Sequence, residues 1–382
     1  AACKVARSVF GIQTTIARLR SAEFAEGDPL LGPEGFGVDH VICPEESLMH
    51  YINQLIAYPQ ALQVLEFSQG RAHLIAVRAA AGSALVNHSI GEFKKLFPEA
   101  PLRVVAIYRQ DHELPIEATT QVLPGDEVFV LADKDRIRPV LQAIHGNDTP
   151  VRSVMIAGGG KVGMRLARSL SGQCQVKIIE ANRKRCEYLA GELPGDIMVL
   201  QGDSTDEDLL IEENVGGTDL FIALTSDDED NILSAMLAKR LGARRVMSLI
   251  NRRIYAEMMQ GSAIDIALSP AQTVIGELLV HVRRGDVAAV HSLRRGTAEA
   301  IEGIARGDKR TSRLVGHRID AIELPTGARF GAVVRGQSPA CEVLMPLHDL
   351  VLVEGDHVII YVPNKRQLRA VEKMFQVSAT FF

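Results

Sequence analysis

The residues best placed to do chemistry in this chain lie between Val154 and Glu180, in the run VMIAGGGKVGMRLARSLSGQCQVKIIE. Gly158, Gly160 and Gly163 follow a short apolar stretch and open a helical pattern, and Glu180 closes the next apolar run. Each glycine has a separate job. Gly158 permits a tight turn, Gly160 lets the backbone come close to a pyrophosphate, and Gly163 lets the helix pack closely on the strand. Free N–H groups at the start of that helix form a seat for phosphate. The Glu180 carboxylate is placed to accept a hydrogen bond from a ribose hydroxyl. With a strand before it, a helix after it and an acid at the required distance of ~20 residues, the run is a dinucleotide-binding fingerprint in its proper context.

A loop of this kind needs a parallel sheet to present it, and the sequence continues as such a sheet would. Strands are expected at Ile197 to Leu200, Leu220 to Leu224 and Val246 to Ile250. The first runs into Gly202-Asp203, which puts the Asp203 carboxylate at the carboxyl edge of the sheet, either beside an adenosine or as a turn or cap residue. The second runs into Thr225-Ser226-Asp227-Asp228-Glu229-Asp230-Asn231, where Ser226 and Glu229 read as a capping box. Thr225 and Ser226 also lie beside the crevice, where ribose or phosphate would be in reach. Arg252, after the third strand, either neutralises a phosphate or joins a solvated charge pair.

Glu180 would repel the extra phosphate of NADP, whereas Arg183, Lys184 and Arg185 would welcome one; the acid is better placed, so NAD(H) or ATP/ADP is expected. Hydride transfer needs a proton donor or acceptor and a substrate cavity. His281, His291, His317, His348 and His357 are scattered with no such spacing.

Composition sets the outer limits. At ~150 residues per domain, a chain of 382 residues suggests two or three domains, and 47% apolar with 23% charged residues is ordinary globular usage. Apolar runs such as VLVEGDHVIIYV near Val351 are broken well before the ~18 residues of a membrane span. The five cysteines show no CxxC spacing, which favours buried or neutral thiols over a disulfide frame or a zinc site. A net charge of −5 argues against a general nucleic-acid binder.

The chain also repeats itself. LVNHSI at Leu85 to Ile90 recurs as LVGHRI at Leu314 to Ile319, and the Gly125-Asp126 turn recurs as Gly355-Asp356, a spacing of about 230 residues. In that register Gly11 meets Gly242, and Asp39 to Pro44 meets Asp265 to Pro270 after an insertion at Gly27 to Gly37. AACKVARSVF at the start then reads as the second half of a helix, followed by a strand at about Thr14 to Leu19. The twin of the glycine fingerprint is expected upstream of Ala1, within roughly 80 further residues. Helices are expected after Pro44 and Pro270, each leading into a small α+β module; the second module ends in a charged helix, Lys365 to Phe375. Thr149-Pro150, after His145-Gly146-Asn147-Asp148, is the expected linker between copies.

GGGKVG, VKIIE, LQGDSTDEDLL, DLFIALTSDDEDNILSAMLAKRLGA and the Asp265 to Pro270 element, in this order, resemble the RCK (also called KTN) domains of potassium-transport regulators, here in tandem. The resemblance implies an α/β fold: Rossmann-like RCK N-domains with parallel sheets, small α+β RCK C-domains, and tandem duplication. It divides the chain into a first N-domain remnant with its crossover helix (1–58), a first C-domain (59–149), a second N-domain with its crossover helix (150–284) and a second C-domain (285–382). It further implies a non-enzymatic regulator, peripheral on the cytoplasmic face of the cell membrane. Such a regulator binds NAD, NADH or ATP/ADP, forms dimers or tetramers, and gates a membrane potassium channel subunit of the TrkH or TrkG type. By the same resemblance Gly158, Gly160, Lys161, Val162 and Gly163 serve the phosphates, Glu180 the ribose and Asp203 the adenine side. Thr225 and Ser226 follow on the fourth strand, and Arg252 and, in the first copy, Arg20 follow the fifth. An NAD-dependent oxidoreductase and a regulator of potassium efflux remain the alternatives.

Overall fold

Short apolar runs alternating with amphipathic stretches of about ten residues call for parallel strands joined by crossover helices, and the middle of the chain folds that way. The computed structural model describes residues 1–19, 28–97, 101–110, 112–145, 149–259, 263–282, 286–293, 296–336 and 340–377. It divides into two compact units, one formed by residues 1–57 and 150–274, the other by residues 58–149 and 275–382. Residues 146–148, just before the expected linker, lie outside the described residues.

In the first unit β1 (Ser153–Ala157), β2 (Gln175–Glu180), β3 (Ile197–Gln201), β4 (Leu220–Ala223), β5 (Arg245–Leu249) and β6 (Ile266–Leu268) alternate with α1 (Lys161–Leu170), α2 (Arg183–Glu192), α3 (Glu207–Glu212), α4 (Asp228–Arg240) and α5 (Arg253–Met258). The strands pair in the order β3-β2-β1-β4-β5-β6, all parallel. Every residue of the central β4 is buried, because helices cover both faces of such a sheet. The strand order reverses between β1 and β4, and the crevice at the carboxyl ends of those strands is where a sheet of this kind takes its ligand.

Residues 1–57 repeat the last third of that pattern. Helix Ala2–Phe10 ends on Gly11 in the left-handed region (φ 64°), with Gly11 N–H donating to Arg7 O and Ile12 N–H to Ala6 O, the bond pattern of a glycine helix stop. Strand Ile16–Arg18 pairs in parallel with His40–Ile42, as β5 does with β6, and helix Pro44–Ala57 follows as Pro270–Val282 does. The likeness reaches the side chains. Asp265 accepts from Val246 N–H and Lys239 Nζ, both at 2.8 Å; Asp39 accepts from Thr15 N–H at 2.7 Å and pairs with Arg7.

The Arg7 guanidinium and then the Thr15 N–H hold the Asp39 carboxyl at about 2 instead of 3.8. A carboxylate with a lowered pKa stabilises the fold above its unfolded value and loses that contribution as pH falls through the folded value. Asp39 is therefore expected to support the first unit above pH ~4 and to stop doing so by pH ~2, contributing about 1 kcal/mol once solvent screening is allowed for. Urea melts of the wild type and Asp39→Asn at pH 7 and pH 3 test this. The gap between them should narrow at the lower pH, and a constant gap would count against the pair.

The second unit holds two five-stranded antiparallel sheets of identical topology. One comprises Ala61–Phe67, Ala72–Arg78, Leu102–Arg109, His112–Glu113 and Glu127–Asp133; the other Val287–Leu293, Ala298–Ile304, Arg329–Arg335, Glu342–Leu344 and His357–Val362. They share one apolar core, with Phe67, Leu74, Phe129 and Leu131 from the first packed with Leu293, Ala332, Ile359 and Tyr361 from the second. Polar groups cross the same interface. The Tyr108 and Tyr361 hydroxyls meet at 2.7 Å, and Ser68 donates twice to the buried Glu302, which His357 also meets. Burial alone would raise the Glu302 pKa, yet these His357 and Ser68 bonds outweigh it and hold the carboxyl below its ordinary value. His291 is pushed down by burial and bonds Glu66 O at 2.7 Å. His291 and His357 are thus packing residues here, and His348 is exposed.

The repeated Gly-Asp turns also have a reason. Asp126 and Asp356 are each 1% exposed. Each receives two bonds from an arginine, Arg109 or Arg335, and one from the backbone N–H three residues earlier. The charged stretch after Lys365 is one α-turn flanked by 3₁₀ turns, with α-helix only at Leu368–Glu372.

Candidate functional site

At the carboxyl end of β1 the chain turns on Gly158 at φ +105°, and a Cβ there would lie 2.9 Å from Leu224 C and O and Thr225 N. Gly163 sits in the first turn of α1, where a Cβ would fall 2.0 Å from Gly158 O. Both positions therefore demand glycine for the fold itself. Gly160 does not: a Cβ there meets nothing within 4 Å. Its missing side chain leaves space open at the α1 N-terminus, where a ligand would have to sit.

The helix ends around the crevice differ in one respect. Asn182 caps α2 by accepting from Arg185 N–H, Asp206 caps α3, and Asp227 caps α4. The α1 N-cap is Gly160, with no side-chain cap and no acidic residue in the first turn. Its backbone donors carry the positive end of the helix dipole into the crevice. Lys161 is exposed and Val162 half-buried beside them.

Glu180, at the end of β2, accepts from Gly159 N–H (2.9 Å) through Oε2 and from Asn182 N–H (2.8 Å) through Oε1. Each carboxylate oxygen has a second lone pair, so the group can hold the loop and still accept from a ribose hydroxyl. Asp203 uses Oδ1 to accept from Thr205 N–H and Thr205 Oγ1, both at 2.8 Å, and these bonds lower its pKa. It shapes the turn after β3 at the same sheet edge.

Thr225 follows β4 with its N–H and hydroxyl on Asn231 Oδ1, both at 2.8 Å, and Ser226 is exposed beside it. The expected capping box of Ser226 and Glu229 is not formed. Asp227 is the N-cap and accepts from Asp230 N–H at 3.0 Å, so the helix starts one residue later and Glu229 is free to meet Arg252. Arg252 Nη1 lies 2.8 Å from Glu229 Oε1 and 2.9 Å from the Tyr255 hydroxyl, the charge-pair alternative read from the sequence. Arg20 lies outside the described residues.

Sequence reasoning missed the residues that hold these loops. Asn231 is fully buried and, besides Thr225, bonds Leu249 O at 3.0 Å, joining the ends of β4 and β5. Asp228, 4% exposed, accepts from Asn251 N–H and side chain and from Arg252 N–H. A signal existed: Asp228, Asn231, Ala235 and Ala238 fall on one helical stripe, the buried face of α4, where polar residues need partners. Arg185 was legible only as one of three basic residues, yet its Nε donates to Gly159 O at 2.8 Å.

With this geometry in view, likenesses to known proteins carry weight. A model of the TrkA-N domain matches residues 154–270, and a model of the TrkA-C domain matches residues 74–144 and 309–376. The Trk system potassium uptake protein TrkA of Halomonas elongata is 46% identical over 381 residues, covering 100% of this chain and 82% of that protein. The TrkA proteins of Vibrio alginolyticus (45%) and Haemophilus influenzae (40%) match over the same shares of both chains. Among solved structures, the GsuK RCK domain gives a TM-score of 0.52 at 17% identity, covering 98% of this chain and 77% of that one. A structure described as the GsuK channel bound to NAD gives 0.51 at 17% identity, covering 98% of this chain and 63% of that one; at such identities the likeness is one of fold. The identities to full-length relatives decide the assignment: the chain belongs to the family of the Trk system potassium uptake protein TrkA.

Proposed function

We propose that this chain is the nucleotide-sensing regulatory subunit of a potassium uptake system. In this reading it binds NAD or NADH, with ATP/ADP as the alternative, and controls a membrane potassium-translocating subunit of the TrkH or TrkG type. The observation that carries it is the α1 N-terminus: uncapped, fronted by the open space at Gly160 and flanked by Glu180. The backbone donors of Gly160 through Gly163 would hold the phosphates with Lys161 beside them, and Glu180 would take the ribose. Asp203, Thr225, Ser226 and Arg252 line the sheet edge that the rest of the ligand would follow. The nucleotide supplies charge and binding free energy, and no bond-making group is asked of the protein. Residues 150–280 contain no histidine, and the carboxylates of Asp227 and Asp228 are already committed to caps and loops.

The family names of the relatives support the potassium-uptake role, and one structure of this fold is described as NAD-bound. The four-part division at residues 58, 149 and 284, a homo-oligomer (dimer or tetramer), and a peripheral place at the cytoplasmic face of the membrane belong to the same proposal. Among the described residues no helix is long and apolar enough to cross a membrane, so the conducting path would belong to the partner. A ligand moves such a partner only by the difference in its affinity for two states.

Thermal shift with NAD, NADH, ATP, ADP and NADPH, on the wild type and Glu180→Ala, tests the site. A ligand at a hundred times its Kd adds about 2.7 kcal/mol, and loss of one charged hydrogen bond should weaken binding about tenfold. No shift with any of the five removes the nucleotide reading. Unchanged conductance of a reconstituted potassium-translocating subunit, with and without the chain and its nucleotide, removes the regulatory one.

A further inference from the structure

We infer that Arg185 is a positioning residue: by holding the Gly159 carbonyl it aims the Gly160 amide of the glycine loop at its anion. The inference rests on the nucleotide reading above. Gly159 is gripped at both ends, its N–H by Glu180 Oε2 at 2.9 Å and its carbonyl by Arg185 Nε at 2.8 Å. In a planar trans peptide the carbonyl and the following N–H point in opposite directions. A Gly159 carbonyl fixed on Arg185 therefore turns the Gly160 N–H away from α2. That N–H has no partner among the described residues, and the space around Gly160 is open.

The grip is needed because both residues flanking this peptide are glycines, which reach either sign of φ at little cost. A flipped peptide would present a carbonyl oxygen to the phosphate in place of a donor. Gly159 is also confined from the other side, since a Cβ there would meet Leu189 Cδ1 at 2.3 Å. Arg185 is itself held by its Nη2 contact with Met164 Sδ at 3.8 Å and by the Tyr188 ring, 4.8 Å from its guanidinium. It is thus committed to the loop instead of to a 2′-phosphate. Arg183 is likewise engaged, with Glu187 at 3.2 Å.

Calorimetric titration of the full chain with NADH, ADP, adenosine and NADPH, for the wild type, Arg185→Met and Arg185→Lys, tests the inference. Arg185→Met should weaken NADH and ADP alike by about tenfold, leave adenosine unchanged, and keep its deficit in high salt. Arg185→Lys, which keeps the charge and a single donor without the planar fork, should recover only part of the loss. A melt of each ligand-free variant shows that the fold is retained, and faster amide exchange at Gly159 in Arg185→Met reports the loosened loop without any ligand. Binding unchanged in Arg185→Met overturns the inference. So does a deficit confined to NADPH, which makes Arg185 a 2′-phosphate contact, or one that vanishes in high salt or on restoring charge with lysine, which makes it a distant charge. Wild-type chain that binds none of the phosphorylated ligands removes the nucleotide reading itself, and Arg185 loses its anion with it.

Discussion

Gly160→Ala is expected to lose nucleotide binding by about a hundredfold or more while keeping its fold, whereas Gly163→Ala loses both. At Gly160 the backbone (φ −63°, ψ −171°) suits alanine and an added methyl meets no protein atom within 4 Å. The cost to the ligand-free chain is that of a poorer helix N-cap, under about 1 kcal/mol. The methyl would instead stand where the phosphates approach the loop, and a hundredfold loss corresponds to about 2.7 kcal/mol of binding free energy. At Gly163 the methyl would lie 2.0 Å from the Gly158 carbonyl oxygen, a backbone atom with nowhere to go. α1 must move off β1, at a cost of about 3 kcal/mol. Urea denaturation and NADH titration on both variants separate the two effects. Wild-type affinity in Gly160→Ala would falsify the placement of the ligand at this loop.

The second large effect lies at the two repeated Gly-Asp turns. Asp356→Ala and Asp126→Ala should each destabilise the second unit by about 3 kcal/mol. Either change strands an arginine and a backbone N–H that had shared one buried carboxylate. The arginines are 35% and 38% exposed, so water softens the penalty toward the lower end of the range for a broken buried pair. Replacing both partners, as in Asp356→Asn with Arg335→Met, should recover part of the loss because no charge is left behind. Midpoints within half a kcal/mol of wild type would show that the turn is held by its backbone alone.

Much of the first unit could be read from sequence because its signals are local. Three glycines with distinct steric needs, an acid one strand later and apolar runs of strand length fix β1, α1 and β2 almost alone. The repeat was legible for a similar reason: LVNHSI and LVGHRI, and the two Gly-Asp turns, keep their chemistry over a long separation. What stayed hidden depended on contacts distant in sequence. Asp126 gives no sign of Arg109, nor Glu302 of Ser68 and His357, because antiparallel pairing and sheet stacking bring them together. The α4 cap shifted by one residue because Ser226 is followed by four consecutive acids, of which Asp227 takes the cap and leaves Glu229 available to Arg252. Arg185 was masked by its neighbours, as charge alone does not reveal which guanidinium turns inward.

The shared core of the second unit also sets a timetable for synthesis. Its first sheet is complete once residue 133 has left the ribosome, but the strands that cover its inner face end only at Val362. At elongation rates of about 5–20 residues per second the wait is roughly 10–50 s. During that interval Phe67, Leu74, Phe129 and Leu131 belong to a half-finished sandwich with an apolar face open to solvent. Until Val362 is made, that face has no covering sheet from its own chain.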